Sequence, residues 1–232
     1  MPTILTILTL TTIPDDSYAS FWRFKYPEMA NTIPSIACLG VIGRNNNPLH
    51  ITIFNSYNTT TQKYVPARTP LQYSLLLSGT LDIFESRSRN TANAGGAGGA
   101  GGGNMLLSGD FGLLHAIDER LAAYGFETNT GVKFVAIVDM RGRIVTAKNA
   151  ASGSRGAVVA GVGLRDTDLK PIFRAMQTAY VHLLQNPFYD PDETTVPGGG
   201  KAGGAAKRIT SRKFGDQMRR IGEAWVPGAT SL

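Results

Sequence analysis

Lys133-Phe134-Val135-Ala136-Ile137-Val138-Asp139 decides the fold. The run is almost wholly apolar and enriched in β-branched residues, which favours a strand. Working backwards, Phe111 to Ile117 and Leu121 to Glu127 read as two more strands. Only Asp118-Glu119-Arg120 and Thr128-Asn129-Thr130-Gly131 separate the three, too little chain for a crossover, so neighbouring strands run antiparallel. Further upstream, Ile36 to Ile42 and Leu49 to Asn55 flank the turn Arg44-Asn45-Asn46-Asn47-Pro48. Asparagine tolerates left-handed backbone angles, and a turn of this length closes a hairpin. Five strands are therefore expected in one antiparallel sheet.

Helices are expected to cover that sheet. The longest runs from about Thr69 to Ser88, with Thr69 as cap and Pro70 at the first position, where no amide hydrogen is needed. Tyr73, Leu76, Leu77, Leu81, Ile83 and Phe84 share one broad arc that suits a sheet. Leu71, Leu75, Ser78 and Asp82, at i, i+4, i+7 and i+11, form a separate stripe with two leucines beside an acid, away from the core. That stripe reads either as a partner surface or as two leucines packed under a loop next to a solvated acid.

The second helix starts near Asp166-Thr167-Asp168, whose side-chain oxygens suit a cap, and accepts Pro171 in its first turn. Its apolar face is Leu169, Ile172, Phe173, Met176, Tyr180 and Leu183. It ends at Asn186, because Pro187 biases the preceding residue out of the α region, and Phe188 and Tyr189 are expected to fold their rings back onto the core. Ser211 to Trp225 forms a last amphipathic helix on Phe214, Met218, Ile221 and Trp225. The expected class is α+β, a five-stranded antiparallel sheet with one long helix on one face and two C-terminal helices on the other.

With 232 residues and 42% hydrophobic composition, the chain holds enough apolar matter for a genuine core. Its one cysteine, Cys38, excludes an internal disulfide and a cysteine-based metal site, and suits a reducing cytosolic compartment. Lying in the apolar run Ile36 to Ile42, it reads as a small hydrophobe. His50, His115 and His182 fall on different elements as surface residues, without nucleophile or ligand neighbours, so no catalytic, cofactor or metal site is expected. Gly200-Lys201 is followed by Ala202 rather than Ser or Thr, and Gly161-Val162-Gly163 lacks the third glycine of a dinucleotide loop.

The net charge of +6 is uneven, since residues 201–232 carry 7 basic and 2 acidic groups. Lys207, Arg208, Arg212, Lys213, Arg219 and Arg220 read as the solvated side of a terminal helix. An anionic membrane or nucleic acid is the other reading, and no aromatic interleaving or nucleic-acid motif accompanies them. Met1 to Ile13 lacks the basic start and cleavage site of a signal peptide and is too short to span a membrane, while the aromatic and basic Phe21 to Tyr26 suits a membrane surface or a cover for the core. Residues 1–34 are expected as an N-terminal extension to a single domain over 35–226. Flexible glycine-rich or polar insertions are expected near 89–107, 141–165 and 191–207.

Taken in order, these elements resemble a known family: the sedlin-like small subunits of the TRAPP vesicle-tethering complex, within the longin or SNARE-like fold. Four stretches carry the likeness. They are Ile36-Ala37-Cys38-Leu39-Gly40-Val41-Ile42-Gly43 with Asn47-Pro48-Leu49, then Leu81-Asp82-Ile83-Phe84-Glu85, then Lys133 to Asp139, and finally Asn186-Pro187-Phe188-Tyr189 followed by Ile209-Thr210-Ser211-Arg212-Lys213-Phe214. The resemblance covers residues 34 to 225 apart from the insertions. Ile36 to Val41 and Gly131 to Val135 resemble the subunit 2-like branch more than sedlin itself. The pattern departs at Gly215, where the family has an acid directly after the phenylalanine.

What the resemblance implies is a noncatalytic scaffold subunit, without cofactor, cytoplasmic and peripheral at Golgi and ER–Golgi membranes. Its implied partners are other TRAPP subunits, both small longin-type and larger TRAPP II subunits. A Rab GTPase would be met indirectly, through the nucleotide-exchange activity of the whole complex; peripheral membrane contact fits that place and nucleic acid does not. Asp82 matches the family's first-helix acid, and Asn186, Pro187, Phe188 and Tyr189 match its structural turn. The competing expectation is a regulatory longin domain of a SNARE or adaptor. A SNARE is expected to continue past Trp225-Val226-Pro227-Gly228 into a heptad-patterned helix and a membrane anchor.

Overall fold

The computed structural model describes residues 32–94, 109–144, 164–189 and 208–232. Residues 1–31 of the expected extension, and 95–107, 145–163 and 191–207 of the expected insertions, Lys201 and Lys207 among them, lie outside the described residues.

Five strands make up the main sheet: β1 (Thr32–Ile42), β2 (Pro48–Ile53), β5 (Asp110–Ala116), β6 (Leu121–Glu127) and β7 (Lys133–Ile144). All neighbours pair antiparallel, in the order β2-β1-β7-β6-β5. The central pair is longer than the sequence suggests, because Thr32 stands opposite Ile144 and Ile33 opposite Arg143. Pro34, which has no N–H to give a ladder, sits at a register shift between Ile33 and Ser35, a position where strands tolerate proline. A second shift, between Ile36 and Cys38, turns Ala37 and Cys38 to the same face.

The sheet is covered on both sides, as expected. On β7, Phe134, Ala136 and Val138 face one core while Val135 and Ile137 face the other, the two-residue period of a strand. The first core is closed by α2 (Lys170–Leu184) and α3 (Arg212–Ala224), with Phe173, Met176, Phe214, Met218 and Trp225 buried in it. The second is closed by α1 (Pro70–Ala94), through Tyr73, Leu77 and Phe84. That helix lies close to the sheet because residue 40 is glycine: a Cβ there would stand 2.7 Å from the Leu77 side chain. Cys38 is wholly buried, and burial pushes its thiol up to about 12, so it packs as a hydrophobe and has no thiolate to offer.

The structure departs from expectation between Ile53 and Pro66. The strand expected to reach Asn55 ends at Ile53. Phe54 still donates its N–H to Ala37 O at 2.9 Å and buries its ring, after which the chain leaves the sheet. Asn55–Asn58 (β3) and Lys63–Pro66 (β4) form a separate two-stranded ribbon, with Tyr57 opposite Tyr64 and their rings 5.5 Å apart edge to face. Asn58 Oδ1 closes the ribbon's turn by accepting the N–H groups of Thr60 and Thr61.

Element ends also shift. The α1 helix continues past Ser88 to Ala94, into the start of the expected insertion. Residues Asp166–Leu169 form a 3-10 turn, and the α-helix proper starts at Lys170 with Pro171 in its first turn.

Of the three histidines, His115 and His182 are exposed as expected, whereas His50 is half-buried. Its Nε2 lies 2.9 Å from Thr52 Oγ1 and its ring meets Phe214 edge on at 5.2 Å. Burial lowers its pKa below the ordinary 6.5, against a smaller opposing effect of a backbone hydrogen bond with Ile209. Protonation therefore opposes folding. The contribution is intact above pH 6.5 and is lost as pH falls through the lowered folded value. The melting temperature is expected to decline over that window, and His50→Gln is expected to flatten the decline in calorimetry across a pH series.

Candidate partner interface

The first turn of α1 is fixed by a reciprocal cap. Gln72 N–H donates to Thr69 Oγ1 at 3.3 Å, and Thr69 N–H donates to Gln72 Oε1 at 3.0 Å. With Pro70 at the first helical position, this sets the rotation of the helix: Tyr73, Leu77, Thr80 and Phe84 point at the sheet. Leu71, Leu75, Ser78 and Asp82 then necessarily point away, and all four are exposed. Leu71 is 70% exposed and Leu75 65%, so no loop among the described residues covers them.

Ser78 turns its hydroxyl back to Ser74 O at 3.0 Å, leaving a smooth apolar and weakly polar strip. Asp82 makes no hydrogen bond or ion pair among the described residues, although Glu85, Ser86 and Arg89 line the same shallow depression. The one nearby pair, Arg89–Glu85 at 3.5 Å, is exposed at both ends and leaves the Asp82 carboxylate open to a cation from outside.

Further along α1, Arg87 reaches over β5, one of the two edge strands of the sheet, donating to Phe111 O and Leu113 O, each at 2.7 Å. Sequence reasoning missed this residue, since an arginine late in an amphipathic helix gives no sign that it caps a strand edge.

It missed a second arrangement too. Asp139, the last residue of the deciding run and mid-way along β7, is fully buried, and Arg120 donates through Nε to both of its carboxylate oxygens at 2.8 and 2.9 Å, with Nη2 2.7 Å from Oδ2. The same guanidinium donates to Tyr57 O at 2.5 Å, so one side chain ties β6 and β7 to the β3–β4 ribbon. A carboxylate held like this is a structural latch, not a candidate acid or base.

Asn186 to Tyr189 form a turn, with Tyr189 N–H donating to Asn186 O at 3.0 Å and Phe188 N–H to Asn186 Oδ1 at 3.2 Å. Its aromatic residues part company. Tyr189 packs against the core below α2 and α3, but Phe188 is 90% exposed. The expectation that both rings fold back is corrected: the Asn186 side chain holds the backbone of Phe188 at the outside of the turn, from which its ring projects into solvent.

Among the described residues no group of three or more His, Cys, Asp or Glu could hold a metal ion, and no helix is long and apolar enough to cross a membrane. A family model described as Sedlin matches residues 41–224. The chain belongs to the sedlin family. The matched span runs from the end of β1 to the end of α3, so it takes in all three helices and the α1 stripe.

Within the sedlin family the similar curated proteins are all named trafficking protein particle complex subunit 2-like protein. The Dictyostelium discoideum protein is 28% identical over 159 residues, covering 68% of this chain and 84% of that protein. The Bos taurus protein is 26% identical and the Xenopus tropicalis protein 24% identical, each over 156 residues, 67% of this chain and 84% of theirs. The branch read from Ile36 to Val41 and Gly131 to Val135 is the branch these relatives represent.

Proposed function

We propose that this sedlin-family chain is a noncatalytic assembly subunit of a TRAPP-type vesicle-tethering complex, docking neighbouring subunits through the α1 stripe. The observation that carries the reading is the pair of leucines, 70% and 65% exposed, beside the unpartnered acid Asp82 on a helix whose other side is fully engaged with the sheet. Exposed leucines side by side with an open carboxylate suit a surface that is buried in a larger assembly. The relatives' shared name supports the TRAPP assignment. Small longin-type and larger TRAPP II subunits are the expected neighbours. Nucleotide exchange on a Rab GTPase belongs to the complex as a whole, at Golgi and ER–Golgi membranes, with this chain on the cytoplasmic side.

Affinity purification of the tagged chain from its own cells, followed by mass spectrometry, tests this. TRAPP subunits are expected in the wild-type eluate, and Asp82→Ala is expected to lose one of them. An acid buried against a cation at an interface is worth about 2–5 kcal/mol, enough to strip a partner during washing. An eluate without any TRAPP subunit would sink the assignment; one that Asp82→Ala leaves intact would move the interface off the stripe.

A further inference from the structure

The two faces of the sheet differ in charge. On α1, exposed Asp82 and Glu85 offset exposed Arg89 and half-buried Arg87. On the other side, Lys170 and Arg174 on α2 and Arg212, Lys213, Arg219 and Arg220 on α3 are all exposed, against only Asp216 and Glu223. Much of the chain's excess of positive charge therefore sits on one helical layer, pointing away from the sheet.

Apolar side chains are mixed into that layer. Val181, 46% exposed, lies seven residues beyond Arg174 and eleven beyond Lys170, on the same stripe of α2. Leu184, 42% exposed, closes the helix, and Phe188 follows at 90%. The backbone that carries Phe188 is braced: its N–H is tied to Asn186 Oδ1, and the next residue, Tyr189, is packed on the core. A phenylalanine presented on a braced turn, beside aliphatic residues and an excess of cations, combines the two signals that stable peripheral membrane binding needs.

We propose that the outward face of α2 and α3 docks onto an anionic phospholipid bilayer, with Phe188 entering the headgroup boundary and the α3 arginines meeting lipid phosphates. A polyanion such as RNA would use the arginines but would have no use for exposed Val181 and Leu184. The α1 stripe lies on the opposite face of the sheet and stays free for protein. The inference is thus independent of the TRAPP reading, and the purified chain alone tests it.

Vesicle flotation of the full-length chain is the experiment, with vesicles of phosphatidylcholine alone and of phosphatidylcholine mixed with phosphatidylserine. Binding is expected on the mixed vesicles, weakening as salt rises, and on the order of tenfold or more weaker on the neutral ones. The double variant Arg219→Glu/Arg220→Glu is expected to lose on the order of tenfold or more on mixed vesicles. Phe188→Ser is expected to lose several-fold, and Arg89→Glu on the other face nothing. All the substituted side chains are exposed, so unchanged melting temperatures should accompany these losses. Equal binding to neutral vesicles, no binding to either, indifference to the arginine reversals, or tighter retention by single-stranded RNA than by the vesicles each overturns the proposal.

Discussion

Replacing Arg120 by methionine is expected to cost about 3–5 kcal/mol, because it strands a fully buried carboxylate. Methionine keeps much of the side-chain volume but none of the donors. Asp139 would lose all of its bonds from the guanidinium and keep only the N–H of Arg141, 2.9 Å from Oδ1. Tyr57 O loses its donor at the same stroke, so the β3–β4 ribbon should loosen along with the β6–β7 ladder. For a domain of this size, the loss corresponds to a melting temperature lower by roughly 10 °C. Hydrogen exchange would locate it: amides of Tyr57, Tyr64 and Met140 should lose protection before those of α3. A fall below about 1 kcal/mol would mean that water replaces the guanidinium and that the latch is not structural.

Trp225→Ala should cost about as much, about 3–5 kcal/mol, by a different route. The indole is the largest of the fully buried side chains described, and the backbone N–H of Trp225 caps α3 by donating to Ile221 O at 3.2 Å. Its ring nitrogen donates to Asp168 O at 3.0 Å, fastening the end of α3 to the 3-10 turn before α2. Trp225→Phe separates the two contributions. It keeps most of the ring but leaves the Asp168 carbonyl without that donor, and is expected to cost about 1–2 kcal/mol in chemical unfolding. Equal losses for the alanine and phenylalanine variants would assign the whole effect to the hydrogen bond and none to the cavity.

The parts of this fold that the sequence states openly are those governed by periodicity. The apolar run Lys133 to Asp139 and the 3.6-residue spacing of Ile172, Phe173, Met176, Tyr180 and Leu183 leave little room for another arrangement, and both elements form with only their ends displaced. The α1 stripe was legible for the same reason, because the cap at Thr69 and the arc of Tyr73, Leu77 and Phe84 fix which side faces out.

What stays hidden is whatever depends on residues distant in the chain. Asn55-Ser56-Tyr57-Asn58 is short and polar and looks like a loop until Lys63 to Pro66 pairs with it. Arg120 looks like a turn residue and Asp139 like a strand end. Only the sheet's pairing, which sets Leu121 opposite Asp139, brings them together. Phe188 misleads in the opposite sense: hydrophobicity predicts burial, and one asparagine hydrogen bond reverses it.

Arg87 has a consequence for growth. The outermost strand of an open sheet is a template onto which another copy's strand can be laid, and repetition of that step leads to fibres. Here the template is already occupied, because a guanidinium from the same chain holds the carbonyls of Phe111 and Leu113. Additions at that margin must first displace a charged hydrogen-bonding group, a barrier that a neighbour docking on a helix never meets. The β5 margin is thus guarded against strand-by-strand extension.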